Sequence, residues 1–286
     1  MHNFIKYILF ITISFIIPSS SYQGLLLPNN SYVLLNSDDS YLFKKNILLN
    51  NNIRYNISSC LISLPQDINI GAFTYNYNYN YNIQSSIMIV DYGKFIDSES
   101  EYTFSAKDFI INNKIFLQIN NFLYSSTGIK YISSNIEQYK AHGLTMDFNL
   151  YYHINSLIIS GFIKNYGFII NDYTNYSESL PQSHGLNLTY KPKHLNSIFL
   201  IQYQLFHDYN ELNIYNELFI MKNFSLSIGY TSLANNLYDG NFNDDLLIGF
   251  GLGFTTNYKE FLLNIEIKNL GSVGLINSIS ISKSIN

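Results

Sequence analysis

The sequence contains little charge: 13% of its 286 residues are Asp, Glu, Lys or Arg, about half of the roughly 25% that is typical of soluble domains. Its 16 basic and 20 acidic residues nearly balance, and the pI is about 5.8. A nucleic-acid partner is therefore not expected, because such binders carry a strongly basic surface. The 16% aromatic content excludes a disordered chain, since disordered segments are poor in aromatic residues.

Long apolar runs, cysteine pairs and catalytic motifs are also missing. After residue 17 no apolar run reaches the roughly 18 residues of a membrane-spanning helix. The single cysteine, Cys60, cannot form an intramolecular disulfide and is interpreted as a small buried or lipid-facing side chain. The six histidines show no metal-ligand spacing, and the SxxK pattern at 280–283 lacks its partner motifs. We therefore expect no catalytic residue, no cofactor and no metal site, and we predict that the protein is not an enzyme.

The first 21 residues have the order of segments found in secretory signal peptides. Lys6 precedes a ten-residue apolar run at 8–17, which is followed by Pro18 and three serines. Ten helical residues rise only about 15 Å, too little to cross a hydrocarbon core of about 30 Å. The sequence therefore predicts a cleaved signal peptide over 1–21 and export from the cytoplasm.

Apolar residues recur at every second position in the most regular stretches of the mature chain. In 144–152 they alternate with Thr145, Asp147 and Asn149, and in 248–254 they alternate with glycines. A period of two is typical of a β-strand with one apolar and one polar face. The same criterion predicts about fourteen strands, among them separate ones at 103–112 and 114–131. Because the polar links between strands are short, consecutive strands should be antiparallel neighbours.

A membrane barrel explains this pattern better than a soluble sheet sandwich. The predicted strands have the roughly 9–11 residues that a tilted transmembrane strand needs, and their polar faces are mostly uncharged. We therefore predict an all-β protein: a transmembrane antiparallel β-barrel of about 14 strands over 51–286, preceded by a short N-terminal plug or lead-in segment at 22–50. The alternative from composition alone is a secreted β-sandwich or adhesin.

Two charged residues on predicted polar faces are expected to meet inside the barrel. Lys130 and Asp147 lie on consecutive strands, and a hairpin centred near Gln138 and Tyr139 would set them opposite each other. We predict a lumenal ion pair with a stabilising role.

Several motifs together resemble one family of outer-membrane proteins. The most similar stretch is 91–191, with the motifs DYGKF, FSAKD, STGIKYISSNIEQYKAHGLTMD, KNYGF and ESLPQSHGLNLTYKPKHL, the last of which continues to Leu195. LLLP at 25–28 and NLGSVG at 269–274 extend the similarity towards both ends. In their order and spacing these motifs resemble the PorV/PorQ family of the type IX secretion system, whose barrels look like FadL transporters.

The resemblance implies a non-enzymatic barrel that anchors or docks a surface partner. The implied partners are other type IX secretion proteins, a PorZ-like protein with PorU and PorV, together with outer-membrane lipid. The expected contact loop is the polar link at 174–183, with Tyr176, Glu178, Leu180 and Pro181 as contact residues. The alternative function is a FadL-like outer-membrane channel for hydrophobic solutes.

Overall fold

In a computed structural model the chain forms fourteen β-strands that follow a short helical segment. The structure describes residues 22–28, 34–35, 41–49, 55–78, 82–96, 103–174, 179–233 and 247–285. The predicted signal peptide, Tyr176 and Glu178 lie outside the described residues. A 3-10 turn at Gln23–Leu26 and helix α1 at Tyr41–Leu49 come first. The strands are β1 (Tyr55–Ser63), β2 (Asn69–Asn78), β3 (Asn82–Ile96), β4 (Thr103–Gln118), β5 (Leu123–Ile136), β6 (Tyr139–Ile154), β7 (Leu157–Asn171), β8 (Ser183–Tyr190), β9 (Ser197–Leu205), β10 (Asn210–Met221), β11 (Phe224–Thr231), β12 (Phe250–Tyr258), β13 (Phe261–Asn269) and β14 (Leu275–Ile285).

The strands close into a single barrel. Each strand pairs antiparallel with the next, and β14 returns to pair with β1 in a register that runs from Tyr55 opposite Ile285 to Ser63 opposite Asn277. Closure leaves no unpaired edge, which hydrocarbon would not tolerate. The predicted fold class, an antiparallel barrel of about 14 strands with an N-terminal plug or lead-in segment, is confirmed. Among the described residues, no helix is long and apolar enough to span a membrane.

The period of two in the sequence separates the two faces of the barrel wall. In β6, Met146 and Phe148 point outward and are about half exposed, whereas Thr145, Asp147 and Asn149 point inward and are buried. The outward face of the other strands is likewise built from Ile, Leu, Phe and Tyr. An apolar exterior around a polar interior is the arrangement of transmembrane barrels.

The two ends of the barrel differ in the length of their connections. At one end, the short-turn end, strands are joined by links of two to six residues, and both β1 and β14 have their free ends there. At the other, the long-loop end, the links include 172–182 and 232–249. Exposed aromatic side chains lie near both ends of the apolar band, such as Tyr190 and Tyr258 at the short-turn end and Phe168 and Phe250 at the long-loop end.

The prediction that one strand ends at 112 and the next begins at 114 is wrong. β4 continues to Gln118, and the turn lies at 119–122. Asn113, which suggested a break, lies within β4 and accepts a hydrogen bond of 2.7 Å from Ser85 Oγ on β3. A partner on the neighbouring strand thus lets a polar residue occupy the outward face without ending the strand.

Candidate functional site

The described N-terminal residues, 22–28, 34–35 and 41–49, form one segment along the inner wall of the barrel, here called the N-terminal segment. At the long-loop end, Tyr22 Oη donates a hydrogen bond of 3.3 Å to Asp172. At the short-turn end, Lys191 Nζ donates one of 3.4 Å to the carbonyl oxygen of Leu48. The segment therefore extends between the two ends of the lumen before the chain enters β1.

A salt bridge holds helix α1 to the wall. Lys45 Nζ lies 2.8 Å from Glu217 Oε1 and 2.9 Å from Oε2, and Ser225 Oγ donates a further hydrogen bond of 2.7 Å to the same carboxylate. Glu217 is 1% exposed and Lys45 12% exposed. Because removing one partner of a buried ion pair leaves an uncompensated charge, this contact is costly to break.

Aromatic contacts support the same helix from the opposite wall. The ring of Phe43 stacks on Phe116 at a centroid distance of 4.4 Å and lies 5.6 Å from the ring of Tyr151. Lys44, which is fully buried, places its ammonium group 5.6 Å from the centre of the Tyr151 ring. Cation–π contacts of this kind gain strength when they are shielded from water.

Glycines in β11 and β12 form a hollow for Leu35. A Cβ atom added at Gly251 would lie 2.3 Å from Leu35 Cδ2, and one added at Gly229 would lie 2.9 Å from Leu35 Cβ. Gly251 and Gly253, which alternate with apolar residues in the sequence, thus point inward, where they leave room for the N-terminal segment. Their lack of a side chain is required here by close approach and not by backbone conformation.

The structure places Lys130 and Asp147 in contact inside the barrel. Lys130 Nζ lies 2.7 Å from Asp147 Oδ2 and also donates a hydrogen bond of 2.9 Å to Asn165 Oδ1. The pair is diagonal, because Lys130 is opposite Thr145 and Asp147 is opposite Gly128. The expected hairpin centre was one position away from the observed one at 137–138, which shifts the pairing register by two residues and keeps both side chains on the same face.

Two residues of the expected partner-contact loop are buried in the mouth of the barrel. Leu180 is 4% exposed and belongs to the apolar cluster at the long-loop end. The carbonyl oxygen of Pro181 accepts a hydrogen bond of 3.1 Å from Asn165 Nδ2, and Asn165 N–H donates one of 2.9 Å to Asp147. This end of the loop is therefore tied to the lumenal ion pair, and its contact with a partner stays a prediction.

An internal cavity of about 330 Å³, here called the inner cavity, lies between the N-terminal segment and the wall. Its apolar wall comes from neighbouring strands of the closed sheet and consists of Ile62, Ile70, Met88, Ile110 and Ile276. The side chains of Leu25, Leu27 and Leu34 on the N-terminal segment complete the apolar lining.

Polar and charged groups also line the inner cavity. They include Lys130, Glu211 and Lys268, and Tyr209 borders the cavity from the turn between β9 and β10. Burial, with smaller contributions from Glu211 and Asp208, raises the pKa of Tyr209 to about 12, so its hydroxyl group is neutral at physiological pH. The inner cavity thus offers an extensive apolar surface with polar groups on one side, as small-molecule sites commonly do.

A second cavity, of about 760 Å³, opens at the short-turn end and is called the short-turn cavity. Uncharged polar residues such as Asn56, Gln84 and Ser280 line it together with Lys45 of the N-terminal segment. In the part of the chain that the structure describes, no group of three or more His, Cys, Asp or Glu side chains could hold a metal ion.

Glu217 and its partner Lys45 were not predicted from the sequence. The alternation within β10 places Glu217 on the same face as Tyr215 and Asn213, all of them buried, so its inward position could have been read from the pattern. Its partner could not, because the N-terminal segment has no period that relates it to a particular strand.

Comparison with known proteins identifies similar folds and no sequence family. No protein-family profile matches the sequence, and no curated protein matches it. The toluene transporter TbuX of Ralstonia pickettii superposes with a TM-score of 0.61 at 8% identity over 92% of this chain and 100% of TbuX. The monoaromatic hydrocarbon channel CymD gives 0.60 at 7% identity over 95% of this chain and 99% of CymD. The Pseudomonas putida toluene transporter TodX gives 0.56 at 8% identity over 95% and 99% of the two chains. At these identities the similarity shows a shared barrel fold.

Proposed function

We propose that the protein is an outer-membrane channel for small hydrophobic molecules, exported by its signal peptide and closed at rest by its N-terminal segment. The observation that carries this proposal is the inner cavity, whose apolar wall of Ile62, Ile70, Met88, Ile110 and Ile276 faces the lumen. An apolar surface on the inner face of the barrel makes no contact with lipid, but it favours the transfer of an apolar solute from water.

The neighbours in fold support the same class of solute. Toluene transporters and a monoaromatic hydrocarbon channel share the barrel architecture. In this chain a solute would pass between the N-terminal segment and the wall, so the segment would have to shift. Identifiable contacts hold it, among them the Lys45–Glu217 salt bridge, the stacking of Phe43 on Phe116 and the Leu35 hollow, and such contacts would have to break for the segment to move.

Uptake of labelled toluene by bacterial cells that lack their own hydrocarbon channels tests the proposal. Cells that produce the protein should take up toluene faster than cells with an empty vector. Met88→Trp, which enlarges a side chain on the inner cavity, should lower uptake severalfold. Ile87→Trp changes the adjacent residue, which faces lipid and is 44% exposed, and should leave uptake unchanged. Equal uptake with and without a folded, heat-modifiable barrel would reject a channel for this solute.

A second candidate, docking of a type IX secretion partner, is favoured by one observation. The lumen contains a segment held by a buried salt bridge and aromatic stacking, which suits a barrel that serves as an anchor. In this reading the link 172–182 at the long-loop end would contact a PorZ-like partner, and the PorU and PorV proteins would complete the complex.

Deletion of 175–179 followed by affinity capture from the native host tests the docking candidate. The deletion spares Leu180 and Pro181, which are buried in the barrel mouth. Loss of a co-captured secretion protein would support docking, whereas unchanged recovery would argue against this loop. A barrel that binds the partner and admits no toluene would favour docking over transport.

A further inference from the structure

Charge is distributed unequally between the two ends of the barrel. The links at the long-loop end contain eleven acidic residues and no Lys or Arg, with three of the acids in 97–102 and three in 232–249. The links between strands at the short-turn end contain four lysines, Lys191, Lys193, Lys222 and Lys259, and a single acid, Glu260. By sequence, the links of one end are therefore acidic and those of the other end are basic, although the net charge of the protein is only −4.

The basic end has the short turns that outer-membrane barrels place on the periplasmic side. Outer-membrane barrels have short periplasmic turns and longer extracellular loops, and the short-turn end of this barrel has links of two to six residues. Its lysines are therefore at the level of the inner leaflet of the outer membrane, where phospholipid headgroups carry phosphate.

Four exposed lysines, Lys193, Lys222, Lys259 and Lys283, form what we call the lysine rim. Lys283 lies on the outward face of β14, directly opposite Phe261 on β13, and its ammonium group is 5.6 Å from the centre of that ring. The ammonium group of Lys259 is 5.5 Å from the ring of Tyr258, whose side chain is 70% exposed.

These aromatic neighbours mark the depth at which the lysines lie. Aromatic side chains collect at the boundary between hydrocarbon and headgroups, and long basic side chains beside them extend towards the headgroups. The carboxylate of Glu260 lies 3.8 Å from the ammonium group of Lys283, and both groups are exposed. This single acid offsets only one of the four lysines, so the rim keeps a net positive charge.

We propose that the lysine rim binds the phosphate groups of anionic phospholipids in the periplasmic leaflet. A protein partner with an acidic surface would also complement the charge, but it would not require Lys283 to face lipid in line with Ile281 and Ile279 of the same strand. Lys222 and Lys259 also border the short-turn cavity, but the outward position of Lys283 and the contacts of two lysines with boundary aromatics favour lipid. The binding is independent of whether the lumen transports a solute.

Native mass spectrometry of the purified barrel, titrated with phosphatidylglycerol or phosphatidylcholine, tests this proposal. Each basic residue near an anionic surface contributes a factor of about five in affinity. The triple variant Lys222→Gln, Lys259→Gln, Lys283→Gln should therefore bind phosphatidylglycerol at least tenfold more weakly than the wild type. Its weak binding of phosphatidylcholine should be unchanged, and added salt should reduce the difference between the two lipids.

The long-loop end supplies a matched control. The triple variant Lys94→Gln, Lys107→Gln, Lys140→Gln removes the same charge from exposed lysines near that end and should retain wild-type affinity. Equal weakening in both triple variants would indicate a general charge effect and overturn the proposal. Equal wild-type affinity for the two lipids would also overturn it, as would full displacement of phosphatidylglycerol by an equal concentration of glycerol phosphate.

Discussion

Replacing Glu217 by glutamine should release the N-terminal segment from the barrel wall. The change removes the negative charge that lies 2.8 Å from the ammonium group of Lys45 in the wild type. Breaking a buried ion pair costs about 3–5 kcal/mol. We expect the lower end, about 3 kcal/mol, because Lys45 is 12% exposed and borders the short-turn cavity. A cost of this size would raise the population of the released state about a hundredfold.

Single-channel recording in planar bilayers measures this release as open events. The Glu217→Gln barrel should open far more often than the wild type, whereas the double variant Lys45→Gln, Glu217→Gln should return towards wild-type behaviour because no charge is left unpaired. Glu260→Gln is the control, since its salt bridge with Lys283 is 3.8 Å long and exposed and contributes little. An opening frequency of Glu217→Gln within twofold of the wild type would refute the reasoning.

Three further predictions concern the lumen. Gly251→Val should displace the N-terminal segment and lower the melting temperature, because even a Cβ atom at this position would lie 2.3 Å from Leu35 Cδ2. Gly71→Ala should leave the melting temperature unchanged, because the nearest atom is 3.8 Å from the added Cβ; equal melting temperatures of the two variants would argue against the hollow. Lys130→Ala and Asp147→Ala should be strongly non-additive in a double-mutant cycle of unfolding free energies, because the two groups are 2.7 Å apart and largely buried; additive effects would reject their coupling. Folding raises the pKa of Tyr209 above its ordinary value of 10.0 to about 12, so the contribution of its neutral hydroxyl group to the free energy of unfolding is fully present below pH 10 and is lost between about pH 10 and 12. Tyr209→Phe should therefore flatten the pH dependence of the unfolding free energy in that range, and an unchanged profile would show that other groups cause it.

The barrel could be predicted from the sequence because its wall follows one rule. A strand between lipid and a polar lumen must alternate, and the alternation in 144–152 therefore identifies both the strand and its faces. The number of strands follows from the number of such stretches. The break expected at Asn113 was misplaced because a polar residue at an outward position resembles a turn until its partner, Ser85, is known.

The contents of the lumen were only partly predictable. Lys130 and Asp147 could be paired from the sequence because a hairpin relates their strands and both lie on the polar face. The contacts of Lys45 with Glu217 and of Leu35 with Gly251 join residues far apart in the chain. No periodic pattern in the sequence predicts that the N-terminal segment contacts β10 or β12. These contacts depend on how the segment lies within the closed barrel.

The seam between the first and last strands determines when the barrel can be completed. Asn56 Nδ2 on β1 donates a hydrogen bond of 3.3 Å to Ser284 Oγ on β14, across 228 positions of the chain. Contacts between such distant residues form late, because the intervening chain must first be ordered. The N-terminal segment adjoins β1 and must therefore be enclosed as the seam closes or be threaded in afterwards. A truncation that removes β14 would leave two unpaired edges in the bilayer and should prevent assembly altogether.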